Sequence, residues 1–152
     1  MTPSPRTGRE RKADVIAKLE AGNADAWVAT ASPTGVAHLV PLSYAWDGRH
    51  IILATEPRLL TARNIEVSGQ ARLAFGPTRD VVIVDAQLDG RMDVGDAPEA
   101  LADAYARQSG WDPRHEKDSF IFLLLNPRRV QAWREANELA GRTLMRDGTW
   151  LF

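Results

Sequence analysis

The ten residues Thr55-Glu56-Pro57-Arg58-Leu59-Leu60-Thr61-Ala62-Arg63-Asn64 combine the groups needed to grip an anion. A hydroxyl closes a predicted strand, a proline leads into a predicted helix, and Arg58, Thr61 and Arg63 fall within its first turns. The opening N–H groups of a helix lack internal partners and carry the positive end of its dipole, so a phosphate is a natural guest there. Each charge-assisted hydrogen bond from arginine would add about 1.5–3 kcal/mol. The same residues also read as a threonine cap with two solvated arginines. A second signal precedes them. Pro41 interrupts a predicted strand, where it removes a ladder donor; it marks either an edge or bulge, or a strand whose free groups on Val40 and Leu42 face a ligand.

Other chemistries lack their residues. Without cysteine there is no disulfide, thiolate nucleophile, Cys-ligated zinc or iron–sulfur cluster. His38, His50 and His115 are scattered and form no H-E-x-x-H pattern, so structural or surface roles are expected for them. No G-x-G-x-x-G, G-x-x-x-x-G-K-[ST] or G-x-S-x-G sequence occurs, which argues against Rossmann, P-loop and serine-hydrolase sites. Carboxylates are numerous but unpaired, giving no glycosidase-like couple.

The totals are those of one globular domain: 152 residues, 44% hydrophobic, 26% charged, net charge −1. Near-neutrality argues against a nucleic-acid or membrane-surface partner. Lysine occurs only at positions 12, 18 and 117, and arginine supplies every other basic residue, so a single arginine is weak evidence of a site. Residues 1–12 have no apolar core like that of a signal peptide, and the run Phe120–Leu125 is too short to span a bilayer. The cytoplasm is the expected compartment.

The elements that must position the anion grip follow from periodicity. Residues 1–8 read as a flexible tail and residues 9–152 as a single domain. Ala13, Ile16 and Leu19 predict an amphipathic helix over 9–21. Strands are expected at 26–31, 36–46 and 50–55, joined by Ser32-Pro33-Thr34-Gly35 and Asp47-Gly48 as a meander. A short helix over 59–67 follows, then strands at 71–75 and from 80 to 88, with a continuation toward 94. A capping-box-like start at Asp96–Glu99 opens a helix to about 108. Two strands flank Asn126-Pro127, at 120–125 and 130–133, and Asp147-Gly148 suggests a terminal hairpin. The fold class is mainly β with short flanking helices (α+β), a closed or split barrel.

The order of these segments resembles the flavin- and deazaflavin-binding split barrels related to pyridoxamine 5′-phosphate oxidase. The resemblance lies in WVATASPTGVAHLVPLSYAWDGRHIILAT, TARNI, ARLAFG, TRDVVIVDAQLDG and RRVQAW, across residues 24–135. It implies a six-stranded antiparallel split barrel, paired as a homodimer with cofactor at the subunit interface. By position it implies that Val40, Pro41 and Leu42 run beside the ring. Thr55, Arg58, Thr61, Ala62, Arg63 and Asn64 would take the phosphate and ribityl segment. Arg79 and Asp80 would lie near the ring, often from the second subunit, with Trp133 and Trp150 as candidates to close the cleft. Where family members with oxidase activity carry Ser-Arg-Lys, this chain has Leu59-Leu60-Thr61. That difference leaves FMN, the deazaflavin coenzyme F-420, haem or no cofactor open. The oxidase's C-terminal arginine–histidine substrate elements have no evident match either, which argues against oxidation of pyridoxamine phosphate. The leading expectation is hydride transfer between bound FMN or F-420 and a small organic substrate, with Asp80 or Tyr44 as a polar group near the ring. The alternatives are a non-enzymatic carrier or sensor on the same fold, and a barrel that has lost its cofactor.

Overall fold

Alternation sets the strands. In Asp25–Ala31 (β1), Ala26, Val28 and Thr30 are buried, while Asp25, Trp27 and Ala31 are exposed. The partner strand, Ala37–Trp46 (β2), turns through Asp47-Gly48, with Gly48 at φ +93°, into Ile51–Thr55 (β3). β3 is buried at every position, because Ile51 and Leu53 face the barrel while Ile52 and Ala54 face an outer helix. This explains its unbroken apolar text. The computed structural model describes residues 1–152.

A helix at Leu60–Ser68 (α2) leads to Gln70–Phe75 (β4) and Val81–Asp93 (β5). A second outer helix, Glu99–Ser109 (α3), precedes Ile121–Trp133 (β6), and Thr143–Arg146 (β7) with Thr149–Trp150 (β8) completes the sheet. Neighbours run β3-β2-β1-β4-β5-β6-β7-β8, all antiparallel, and β3 also pairs with β6. Six strands therefore close on themselves, leaving β7 and β8 as an appended hairpin. Asp147 and Gly148 both have positive φ, as a two-residue hairpin turn of the tight primed type requires.

Leu53, Leu73, Val84, Leu123, Leu125 and Val130 fill the barrel, joined by Val15 and Leu19 from a helix at Gly8–Glu20 (α1) that covers one end. A fully buried leucine contributes about 1.5–3 kcal/mol relative to an exposed one. Between β3, β6 and α3 lies a smaller core of Ile52, Ala54, Val94, Ala102, Tyr105 and Phe122.

Four details differ from the sequence reading. The buried stripe of α1 is Arg11, Val15 and Leu19, not Ala13 and Ile16. Arg11 is admitted because its guanidinium donates to the carbonyls of Ala132 and Glu138. The capping box belongs to Thr7 and Glu10, whereas α3 starts at Pro98 with no side-chain cap. Residues 126–127 do not split β6: Pro127 pairs with Ala86 beside a bulge at Arg128, a place where a missing N–H is tolerated. Finally, Arg6, within the segment expected to be a flexible tail, is tied to Glu138 and Asp14.

Candidate functional site

β2 and β3 do not stay together. They pair only at Tyr44–Trp46 against Ile51–Leu53. Beyond that, β2 follows β1 from Ser43↔Asp25 to Ala37↔Ala31, while β3 follows β6 to Thr55↔Ile121. The two strands diverge, and a cleft of about 370 Å³ opens between Pro41–Leu42–Ser43 and Ala54–Thr55–Glu56, completed by Asp25, Leu59, Trp111 and Phe120.

The cleft runs to the start of α2. Leu59 occupies the cap position with extended geometry but offers no side-chain acceptor, so the leading N–H groups of Leu60, Thr61 and Ala62 have no cap. On the same helix Thr61, Ala62, Asn64 and Ile65 are buried. Asn64 Nδ2 donates to Thr30 Oγ1 at 3.1 Å, so both polar groups are satisfied inside. Removing that amide strands a buried hydroxyl; Asn64→Ala should cost about 1–3 kcal/mol in a urea titration. Side chains of Thr61, Ala62 and Asn64 thus build the helix seat, and what they can offer a ligand there is backbone.

The expected site residues separate into groups. Pro41, Leu42 and Thr55 line the cleft together. Val40 lies next along β2, paired with Val28. Arg58 is 76% exposed at the mouth, 3.5 Å from Glu56, and Arg63 is exposed on the following turn. Arg79, Asp80 and Trp133 do not line the cleft of their own chain. Arg79 pairs with Glu135, and Trp133 lies beneath Arg142, whose guanidinium carbon is 5.8 Å from the ring centroid. Trp150 packs beneath Lys12 instead.

Asp80 is engaged by Lys18 at 2.9 Å and Arg134 at 3.2 Å. Burial opposes its ionisation, but these two cations outweigh that and hold the carboxyl below its usual range. Tyr44, the other polar candidate, is buried against Phe75, and its hydroxyl donates to the Lys18 carbonyl. Burial, aided by Asp25, pushes that phenol up to about 12. Neither group faces the cleft.

Sequence reasoning missed Asp25, Ser43, Trp111 and Phe120. Asp25 accepts the Ser43 hydroxyl at 3.0 Å across the β1–β2 pair, and Trp111 and Phe120 stack edge-on at 5.2 Å. Only Glu56 and Leu59, inside the segment already singled out, carried a local signal. A larger groove of about 560 Å³ lies over the outer face of β1, β4 and β5, where Arg72 is matched by Asp85. No three His, Cys, Asp or Glu residues gather to hold a metal. No helix is long and apolar enough to cross a membrane.

The geometry is that of a split barrel with a ligand-sized gap at the split. The family model described as pyridoxamine 5′-phosphate oxidase matches residues 16–134, and the chain belongs to that family. Solved structures agree on the fold. An F420 reductase aligns with a TM-score of 0.62 at 16% identity, over 75% of this chain and 93% of its own. A heme binding protein from Mycobacterium smegmatis aligns at 0.61 and 16% identity, over 97% of this chain and 60% of its own. General Stress Protein 26 from Bacillus anthracis aligns at 0.55 and 12% identity, over 80% and 92% respectively. No curated protein matches the sequence.

Proposed function

We propose that the chain binds a flavin such as FMN, or the deazaflavin coenzyme F-420, and exchanges hydride between it and a small organic molecule. The observation that carries this reading is the divergence of β2 from β3 directly onto an uncapped helix start. Pro41, Leu42, Ala54 and Leu59 give the gap apolar walls suited to a planar ring. The leading amides of α2, with Arg58 and Arg63 beside them, suit a phosphate. The fit is tighter for the ring than for the tail: Asp25 and Glu56 are the charged residues lining the gap, so the compensating cations stand at its mouth.

Bound there, such a cofactor supplies a ring that accepts and returns hydride. The protein's share is to orient that ring along β2, neutralise the tail and keep water from one face. The outer face of β1 and β2 supports a homodimer. Trp27 is 52% and Leu39 60% exposed, on the side that also presents Pro41. A second copy covering this apolar stretch would reach the cleft rim, and could bring Arg79 or Trp133 to it.

Absorbance of the freshly purified protein, with mass analysis of whatever denaturation releases, tests the cofactor. Arg58→Ala with Arg63→Ala should weaken FMN or F-420 binding at least tenfold, about 1.4 kcal/mol, measured by fluorescence quenching. Unchanged affinity would remove both arginines from the site. A protein that binds cofactor but exchanges no hydride with any acceptor would be a carrier instead.

A further inference from the structure

α3 ends on Gly110, whose left-handed backbone (φ +75°) turns the chain and carries Trp111 to the cleft. Ser109 fixes that turn: its hydroxyl accepts from the Trp111 N–H at 3.2 Å and donates to the Trp111 carbonyl at 3.0 Å. Phe120, the residue before β6, lines the cleft as well. The two rings stand at 75° to each other with centroids 5.2 Å apart, and the fully buried Tyr105 meets the indole at 6.3 Å.

Charge along this cleft has one sign. Asp25 and Glu56 line it and no basic residue does. Glu56 has Arg58 at 3.5 Å, whereas Asp25 is left without a basic partner, its carboxylate accepting the Ser43 hydroxyl at 3.0 Å. Ser43 also connects Asp25 to the rings, because its carbonyl accepts from Tyr105 Oη at 3.3 Å. The side-chain donors of this corner are already engaged. The Trp111 indole N–H goes to Glu116 at 2.8 Å, and the Ser43 O–H goes to Asp25. An anionic guest therefore meets repulsion and no free side-chain donor. A cation meets a carboxylate and two aromatic rings set as adjoining walls, and tryptophan is the strongest of the π partners. A primary ammonium carries three donors that need acceptors, but a fully alkylated one carries none.

We propose that Asp25, Trp111 and Phe120 form a subsite, at the Ser43 end of the β2–β3 cleft, for a quaternary ammonium group on the bound organic molecule. Pro41, Leu42 and Ala54 supply apolar wall for its alkyl groups. The subsite names a substrate class for the function proposed above, and rests on that reading only in taking this cleft as the place where the molecule binds. The cleft is then polar along its length, with an anion favoured at the start of α2 and a cation at Asp25.

Choline and its uncharged isostere 3,3-dimethyl-1-butanol are the probes, titrated by calorimetry at constant ionic strength, with NMR of the indole N–H signals. Choline should bind about tenfold more tightly than the alcohol and should shift the Trp111 signal. Asp25→Asn keeps an oxygen for Ser43 and removes the charge; it should lose about fivefold in choline affinity and nothing for the alcohol. Trp111→Leu should bring choline down to the level of the alcohol, and if that variant does not fold, the other measurements decide. Choline that binds no tighter than the alcohol, or not at all, overturns the proposal. So does an Asp25→Asn variant that keeps the wild-type preference, or a Trp111 signal that choline leaves unmoved. If choline behaves as expected but the wild type binds neither FMN nor F-420, the subsite stands and the cofactor reading falls. A protein that takes up either cofactor yet shows no preference for choline loses the subsite alone.

Discussion

Replacing Glu138 with alanine should destabilise the protein by about 3–5 kcal/mol, the usual cost of leaving a buried charge without its partner. Glu138 is 3% exposed, and its carboxylate accepts from the Arg6 backbone N–H, Nε and Nη2 and from the Arg134 N–H. Without it, Arg6 keeps only Asp14 and a distant Asp80, and the amide of Arg134 loses its acceptor. Denaturant titration measures the loss. The pH dependence has a definite sign. Arg6 holds the Glu138 carboxyl at about 2, against an ordinary 4.5. Its stabilisation is therefore complete above the ordinary value and disappears as pH falls toward the lowered one. Glu138→Gln should flatten that acid limb; a limb of unchanged steepness would show that other carboxylates produce it.

Leu59→Asp should move stability and binding in opposite directions. The position has the extended geometry of a cap residue (φ −75°, ψ 152°) and lacks only an acceptor. An aspartate there can accept from the N–H of Thr61 or Ala62, adding about 1 kcal/mol to the helix. The same carboxylate would fill the place proposed for the cofactor's phosphate and repel it. Affinity for FMN or F-420 should fall about a hundredfold, or about 2.7 kcal/mol. Leu59→Asn separates the two effects, since it caps without charge and should lose less affinity. A variant that melts higher yet binds cofactor as before would put the phosphate somewhere other than α2.

Much of the fold was legible because a barrel strand with one wet face must alternate, as β1 does, and because Asp-Gly pairs mark the tight turns at 47–48 and 147–148. What escaped was decided by contacts distant in the chain. Pro127 looked like a strand end, but opposite Ala86 and beside a bulge it needs no donor. Arg11 looked like a solvated face, but its partners are carbonyls more than 120 residues away. The site divides in the same way. Pro41, Leu42 and Thr55 were readable because each belongs to a local break in pattern. Trp111 and Phe120 reach the cleft through the turn after α3, which no spacing announces. Asp80 was placed near the ring by resemblance, yet Lys18 and Arg134 engage it within its own chain.

The two register shifts between β5 and β6 carry a further consequence. One extra residue sits on each strand, Asp89 on the first and Arg128 on the second. Side chains alternate between the two sides of a strand, so each surplus residue resets which of its neighbours point inward. Deleting either one would turn Val84 or Leu125 and their like outward along half a strand, a harm that no single replacement could equal. Drift along this pair is thereby confined to exchanges of side chain, and changes of length must collect in the connections.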